Sequence, residues 1–309
     1  MAGSGNSWRG FQKFCAADEA QDLIRDPAYN PARLLFGSNR MITRTYVPAL
    51  AALGTATGDA IGRHLDRTFR AMVRSGHRTE DPRFLRLLTG EPHPFGNFAV
   101  LSAPVDVDTT REVVDPLVTS GAPAAVIFPD MDVPAAVNAY LTGQGFASHG
   151  AMPAMGVDIA SLKPTVLPDG YELVRVGDGR DGEEWVRQFA TGYELPLGVA
   201  QCFSPVALHA GTSPESAMQF FAVRRNGTTV CTSLCYLDEG LAGIYCVSTI
   251  PEERRKGLGA HATAEPLRLA ARIGYRVGIL QSSEAGHGVY RSLGFADFGG
   301  IPLYVRIPA

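Results

Sequence analysis

The chain has 309 residues, 45% of them hydrophobic and 19% charged, and carries a net charge of −3. That length corresponds to roughly two domains of about 100–200 residues, enough to bury a sizeable core. The near-neutral balance excludes the electrostatic footprint of nonspecific nucleic-acid binding and argues against a membrane surface as partner.

The basic residues are nearly all arginine; the lysines are Lys13, Lys163 and Lys256. The longest uncharged stretch, residues 133–157, is broken by Pro134, Gly143, Gly145, Gly150 and Pro153, which rules it out as a membrane span. The opening MAGSGNSWRGFQKF lacks the apolar run of a signal peptide. Cys15, Cys202, Cys231, Cys235 and Cys246 are odd in number and lack zinc-like partners. They read as free thiols in a reducing compartment, so a cytoplasmic protein without a structural metal is expected.

In chain order, residues 1–40 are irregular. Residues 41–75 form a helical pattern interrupted between Gly54 and Gly58, with Arg63, Arg67, Arg70 and Arg74 as a solvated stripe. Residues 96–103 read as a strand, Asp108 as the cap of a helix reaching about Thr119, and residues 124–128 as a buried strand. Pro134 opens a helix ending near Gly143, and residues 155–159 form a strand. Residues 163–170 (KPTVLPDG) form a linker.

The second half begins with a strand at 171–176 and a helix at 182–193. Residues 193–214 make a long punctuated loop with room for a short helix. Strands at 218–224 and 228–236 are joined by Asn226-Gly227, a strong hairpin signal. A strand at 241–248, a helix at 257–273, a strand at 277–281, a helix at 286–293 and a strand at 303–307 complete the chain. The block Tyr140…Gly145-Phe146-Ala147 recurs as Tyr290…Gly294-Phe295-Ala296, each leading into a proline-containing final strand. With strand–helix–strand before both blocks, duplicated domains are expected.

The chemistry concentrates between Leu241 and Phe295. A strand ends near Ser248, a loop TIPEERRK follows, and Gly257-Leu258-Gly259-Ala260 opens a helix. Glycines there admit close backbone approach, and the free N–H groups of a helix start suit a pyrophosphate. Arg254, Arg255 and Lys256 add positive charge. The Gly257-x-Gly259-x-x-Ala262 pattern also fits a dinucleotide fingerprint. That motif needs its first glycine directly after the strand and an acidic residue ending the next one. Here residues 249–256 intervene and the next strand ends in Gln281, so this reading is rejected.

Arg254-x-x-Gly257-x-Gly259-Ala260, with Pro251-Glu252 before it, resembles the acetyl-CoA loop of the GNAT superfamily of N-acetyltransferases. Downstream, Ser283-x-x-Gly286-x-x-x-Tyr290-x-x-Leu293-Gly294-Phe295 is similar to that family's second signature. The resemblance covers about residues 168–309, and the whole chain resembles a tandem GNAT protein. It implies an α/β (α+β) fold of two GNAT-like domains, each a mixed, mostly antiparallel sheet flanked by helices. The first would span 1–162, including a leader at 1–75, and the catalytic domain 171–309.

The resemblance further implies that the strand over 245–249 splays from its neighbour. Its backbone would pair with pantetheine and turn an N–H toward the thioester carbonyl, with Cys246, Val247, Ser248 and Thr249 the residues concerned. Arg254, Arg255, Lys256, Gly257, Leu258, Gly259 and Ala260 would hold the pyrophosphate, and Ser283 takes the place of a common asparagine. Tyr290 is the expected acid toward the departing sulfur, as well as a cofactor contact.

His287, Glu194 and Glu284 are candidate bases. Cys246 as an acyl-carrying nucleophile is disfavoured, because no histidine is placed by sequence to activate it. The first half has Asp106 and Asp108 where a pyrophosphate would sit, so it is expected not to bind CoA. Residues 89–93 and 193–214 are candidate walls of the acceptor cleft. The expected partners are acetyl-CoA and a small primary amine, with no nucleic acid and no membrane, in a monomer or homodimer. A protein N-terminus or lysine acceptor, or a silent acyl-CoA sensor, are the alternatives.

Overall fold

The computed structural model describes residues 46–73, 77–102, 104–177, 179–203 and 216–308. Cys15, Arg74 and the expected irregular segment at 1–40 lie outside these, as does most of the loop at 193–214. The described strands form a single mixed sheet of 11 strands.

Its first half starts with a helical turn over Leu50–Ala56, kinked at Gly54, which runs into helix α1 (Thr57–Met72). The hairpin β1 (Arg78–Asp81) and β2 (Phe84–Leu88) follows, then β3 (Asn97–Leu101), α2 (Val107–Thr119), β4 (Ala124–Ile127), α3 (Ala135–Gly143) and β5 (Ala147–Asp158). The second half contributes β6 (Tyr171–Arg175), α4 (Arg180–Tyr193), α5 (Leu197–Phe203), β7 (Met218–Arg225), β8 (Thr228–Asp238) and β9 (Leu241–Thr249). It ends with α6 (Leu258–Arg272), β10 (Val277–Gln281), α7 (Glu284–Leu293) and β11 (Ala296–Arg306).

The strand order is β1-β2-β3-β4-β11-β5-β10-β9-β8-β7-β6. From the edges inward the two sides follow one pattern. An antiparallel hairpin leads to a parallel pair, β3–β4 on one side and β9–β10 on the other. The next neighbour is antiparallel and comes from the other half of the chain: β11 lies on β4, and β5 lies on β10. β5 and β11 pair with each other across the centre.

The repeated sequence blocks are the turns that launch these two strands. Gly145 and Gly294 end α3 and α7 with φ of 82° and 107°, and Phe146 and Phe295 are buried immediately after. A left-handed residue after a helix favours glycine because a Cβ would meet the following carbonyl.

One sheet face carries α1, α4 and α5. Ile61, Leu65, Trp185, Phe189 and Ile279 meet there in one apolar cluster, and the Trp185 indole N–H donates to the Phe221 carbonyl at 2.9 Å. On the other face, α6 and α7 bury Leu267, Leu293 and Phe295 against Ile244 and Leu280, while α2 and α3 cover the first half. Helix α1 docks closely. A Cβ on Gly62 would stand 1.9 Å from the Pro129 carbonyl oxygen, so glycine is required sterically.

Three local expectations change. Asp106, not Asp108, caps α2, accepting from the Thr109 N–H at 2.7 Å. The arginine stripe of α1 is not simply solvated, because Arg67 pairs with Asp238 and Glu239, and Arg70 with Asp66. The final strands begin far earlier than 155 and 303, at Ala147 and Ala296, because their early residues pair with the opposite final strand across the centre.

Residues 171–309 expressed alone lack β5, which leaves one edge of β10 unpaired and β11 without a partner. They are expected to be insoluble or aggregated and to become soluble on co-expression with residues 1–170. Size-exclusion chromatography and far-UV circular dichroism of both preparations check this; a monomeric, folded 171–309 fragment would count against it.

Candidate active site

The β9–β10 pairing runs from Leu241↔Val277 to Ile244↔Leu280 and stops, although β9 continues to Thr249. Beyond Ile244 the strand is held on its other side by β8, through Thr232↔Ser248 and Cys231↔Thr249. Between Leu234↔Tyr245 and Thr232↔Ser248 the register slips, so that Cys246 and Val247 together oppose Ser233. Cys246 takes a φ of 53°, the left-handed conformation that such a bulge demands. The Thr232 hydroxyl donates to the Cys246 carbonyl at 2.9 Å and stabilises the kink. Past the end of β10 at Gln281 this leaves a cleft, where residues 245–249 lie beside β8 on one side and have no paired strand on the other among the described residues.

Helix α6 starts at one edge of this cleft. Gly257 has a φ of 77°, and the first helical bond is His261 N–H to the Gly257 carbonyl. The N–H groups of Leu258, Gly259 and Ala260 therefore have no helical acceptor. A Cβ on Gly259 would meet nothing closer than Val247 Cγ1 at 3.6 Å. The protein's own packing thus does not require glycine there.

The basic run divides. Arg254 donates to the Thr249 carbonyl at 3.0 Å and the Gly192 carbonyl at 2.9 Å, tying the loop to the end of α4. Lys256 lies 2.6 Å from Glu253, which also pairs with Arg225 at 2.9 Å and accepts from the Tyr171 hydroxyl. Arg255, exposed and with a φ of 66°, is the cation of the three without a side-chain bond among the described residues. Glu253 is only 7% exposed, and these donors, Lys256 foremost, hold its carboxyl down at about 2.

Tyr290, on α7, turns its ring against Phe295 and beside Gly286, whose Cβ would stand 3.0 Å from it. Burial pushes its phenol up to about 12, with Thr263 opposing the shift. Cys246 Sγ lies 3.8 Å from the Met72 sulfur, and burial pushes its thiol up to about 12. Such a thiol is not the thiolate that nucleophilic catalysis requires. Ser283 caps α7, accepting from the Gly286 N–H at 3.2 Å.

Two of the three base candidates, His287 and Glu194, are already engaged. His287 meets Asp297 at 2.8 Å, and Asp297 also binds Arg291. Glu194 ends α4 in a left-handed conformation, 3.8 Å from Arg254, while Glu284 sits exposed in the first turn of α7.

Several residues beside the cleft escaped the sequence reading. Tyr193 ends α4, exposed, with its ring 5.0 Å from that of Phe189. Tyr245 bonds to His64 of α1 at 2.8 Å, and Gln281 ends β10. No spacing rule links His64 to a strand so distant in the chain. Gln281 carried a signal, since an amide at the C-terminal end of a buried parallel strand is out of pattern.

Among the described residues the first half shows no equivalent extension of one parallel strand past the other. β3 pairs with β4 up to Val100↔Ile127 and ends one residue later, and the β2–β3 register is unbroken. The start of α2 is occupied by its own Asp106. Residues 89–96 instead pack on α5, where a Cβ on Gly198 would stand 2.8 Å from the Glu91 carboxylate.

No family model and no curated protein matches the chain. Solved structures do. A GCN5-related N-acetyltransferase from Kribbella flavida aligns with a TM-score of 0.56 at 17% identity, covering 81% of this chain and 95% of that one. A GCN5-related N-acetyltransferase from Sphaerobacter thermophilus aligns with a TM-score of 0.53 at 13% identity, covering 82% and 94%. A functionally unknown conserved protein from Staphylococcus epidermidis aligns at 0.52 and 14%, covering 77% and 96%. The chain has the fold of the GCN5-related N-acetyltransferases, as the sequence motifs imply. No helix among the described residues is long and apolar enough to cross a membrane.

Glu253 yields a pH prediction. Its folded value, about 2, lies below its ordinary 4.5, so its pairing stabilises the fold above about pH 4.5 and is lost as pH falls through about 2. Glu253→Gln is expected to lower the melting temperature at pH 7 and to flatten the loss of stability between pH 4.5 and 2. Thermal melts across that range check it.

Proposed function

We propose that the chain is an acyl-CoA-dependent N-acetyltransferase that transfers an acetyl group from acetyl-CoA directly to a primary amine of a small molecule. The observation that carries this reading is the run of β9 past its last pair with β10, Ile244↔Leu280, to Thr249, with the start of α6 at Gly259 beside Val247 and Thr249. The donor set fits a CoA ester. Leu258, Gly259 and Ala260 offer backbone N–H groups to an anion at the positive end of α6, and Gly259 leaves the approach open. Arg255 supplies free positive charge, whereas Arg254 and Lys256 position the loop through their protein partners.

In this reading CoA supplies the activated acyl group, and the residues orient it. The backbone of Val247, Ser248 and Thr249 pairs with the pantetheine arm, beside Ser283. An N–H at the Cys246–Val247 bulge turns toward the carbonyl oxygen, where a fixed donor in a dry cleft contributes about 3 kcal/mol. Tyr290, protonated throughout the working range, donates toward the sulfur. Cys246 contributes backbone rather than thiolate, which favours direct transfer within one ternary complex.

The chain organisation is part of the proposal. Residues 171–309 form the catalytic half and 1–162 a GNAT-like half that has lost CoA binding, with 163–170 between them. The free thiols of Cys202, Cys231, Cys235 and Cys246 favour the cytoplasm. A small acceptor is preferred over a protein N-terminus or lysine because the near-neutral chain lacks a strongly charged composition for docking. Transfer is preferred over a silent sensor because Tyr290 is kept beside the cleft.

Isothermal titration calorimetry is expected to show acetyl-CoA binding; its absence would falsify the proposal. Gly259→Ala should leave the melting temperature within about 1 °C, since its Cβ meets ordinary contacts, while weakening acetyl-CoA binding at least tenfold. Tyr290→Phe should lower kcat by about 100-fold with little change in acetyl-CoA affinity. Free-thiol release across an amine panel measures it, and an unchanged kcat removes Tyr290 from the mechanism.

A further inference from the structure

Helix α4 carries a row of aromatic side chains on one face: Trp185, Phe189 and Tyr193, each four residues after the last. Trp185 stacks on Phe189 with ring centroids 5.4 Å and planes 20° apart, and Phe189 meets Tyr193 at 5.0 Å. Exposure rises along the row, from 1% at Trp185 and 5% at Phe189 to 46% at Tyr193. The first two rings belong to the core. The third continues their row beyond it and is open to solvent.

The end of α4 is fixed on the free length of β9. A Cβ on Gly192 would overlap the Ser248 hydroxyl and stand 3.2 Å from the Thr249 nitrogen, so glycine is needed for this approach. Arg254 holds the Gly192 carbonyl at 2.9 Å, and Glu194, left-handed with a φ of 58°, turns the chain away. The Tyr193 phenol stands within electrostatic reach of Cys246 on β9, Tyr290 on α7 and Cys231 on β8. Those three groups come from different elements around the cleft and locate the hydroxyl among them.

The free length of β9 has two unlike faces. Val247 and Thr249 lie toward α6, where a Cβ on Gly259 would meet them at 3.6 and 3.9 Å. That face carries the unpaired N–H groups of the α6 start, and in the proposed function it takes the CoA ester. Cys246 and Ser248 lie toward α1 and α4, Cys246 against Met72, the last residue of α1, and Ser248 beneath Gly192. In direct transfer the amine must reach the thioester carbon while the CoA arm fills the α6 face, so it enters from the α4 face. Phe189, Met72 and Cys246 make that approach apolar, and Glu194 is turned to Arg254 at 3.8 Å.

We propose that the Tyr193 ring is the acceptor-side wall of the site and selects an amine that carries an aromatic group a short chain away from its nitrogen, the class of the aralkylamines. The proposal rests on the acetyltransferase reading and names its substrate class. A flat ring on a fixed helix, already packed on Phe189 at one edge, offers a further flat group a contact at little conformational cost. The aryl group of the acceptor extends the α4 row as its next member, and the nitrogen lies toward the Cys246–Val247 bulge. A polyamine or a polyhydroxylated amine would have to strip water from its polar groups against Phe189 and Met72 without pairing them, so the wall selects against it.

The test uses the full chain. Acetyl-CoA affinity is measured by calorimetry. Thiol release is then followed with phenethylamine, butylamine and diethylenetriamine for wild type, Tyr193→Phe, Tyr193→Ala and Tyr193→Leu. Wild type is expected to favour phenethylamine at least tenfold in kcat/KM over the other two. Tyr193→Ala should raise KM for phenethylamine at least tenfold, with butylamine kinetics and acetyl-CoA affinity unchanged within twofold. Tyr193→Phe, which keeps the ring and removes the hydroxyl, should preserve the preference. Tyr193→Leu, which keeps bulk without a flat face, should lose it, and replaces the alanine variant should that one be unstable. A half-exposed position tolerates such changes.

If Tyr193→Ala and Tyr193→Leu leave the preference within twofold of wild type, the wall is overturned and the acetyltransferase reading stands. Wild type that turns over butylamine or diethylenetriamine as well as phenethylamine has the same consequence. Loss of acetyl-CoA binding in Tyr193→Leu would put the ring on the cofactor side, and loss of the preference in Tyr193→Phe would move recognition to the hydroxyl; either overturns the wall. Acetyl-CoA binding with no turnover of the three amines overturns the substrate class. Failure of wild type to bind acetyl-CoA overturns both readings.

Discussion

The long antiparallel pair β5–β11 is the constraint on which the rest of the structure depends. Each strand begins in its own half, after a helix closed by a left-handed glycine, and then runs out along the other half's sheet. Pairing of this kind is non-local and entropically costly to form, but once formed it removes two interior edges at a stroke. It also welds the halves into one sheet, so that α1 and the β9–β10 cleft keep a fixed relation. Gly62, with no room for a Cβ against Pro129, and Gly243, with none against His64, show how tightly that relation is built.

The cleft follows from how β10 is held. On one side β5 pairs with it along Val277–Gln281, which keeps it straight to its end. On the other side β9 follows β10 only to Ile244 and is then drawn toward β8 by the Cys246–Val247 bulge. Because β10 ends at Gln281 while β9 runs on to Thr249 along β8, the last residues of β9 are left without a strand on the β10 side. In the first half the equivalent strands are shorter and the register is unbroken, so no such stretch is left. The start of α2 meanwhile binds Asp106 instead of an external anion.

Ionised groups are kept away from the proposed site and placed around it. Cys246 and Tyr290 are held near 12 and His64 near 4, all by burial, so each is neutral between those limits. The ionic group sits beneath the α6 loop, where Glu253 gathers Lys256, Arg225 and Tyr171. A neutral cleft suits the attack of an uncharged nucleophile, because little solvation must be reorganised around it.

Much of this was legible in the amino-acid pattern, and for local reasons. The Asn226-Gly227 hairpin, the Gly257-x-Gly259 helix start and the two Gly-Phe turns are encoded by residues whose backbone requirements act within a few positions. The hairpin β1–β2 was not legible, because Arg78–Asp81 is polar throughout and becomes a strand only at a sheet edge. The run Arg254-Arg255-Lys256 looked like one anion-binding patch, yet its side chains go three ways according to what folds beneath them.

By itself, then, the sequence determined most of the elements and an α/β fold, because glycine, proline and apolar periodicity constrain short stretches of backbone, and its motifs carried the resemblance to the GNAT fold. Only the tertiary structure decided that the final strands cross between halves and that His64 meets Tyr245. Those contacts join residues far apart in the chain and depend on sheet register, which no local pattern carries.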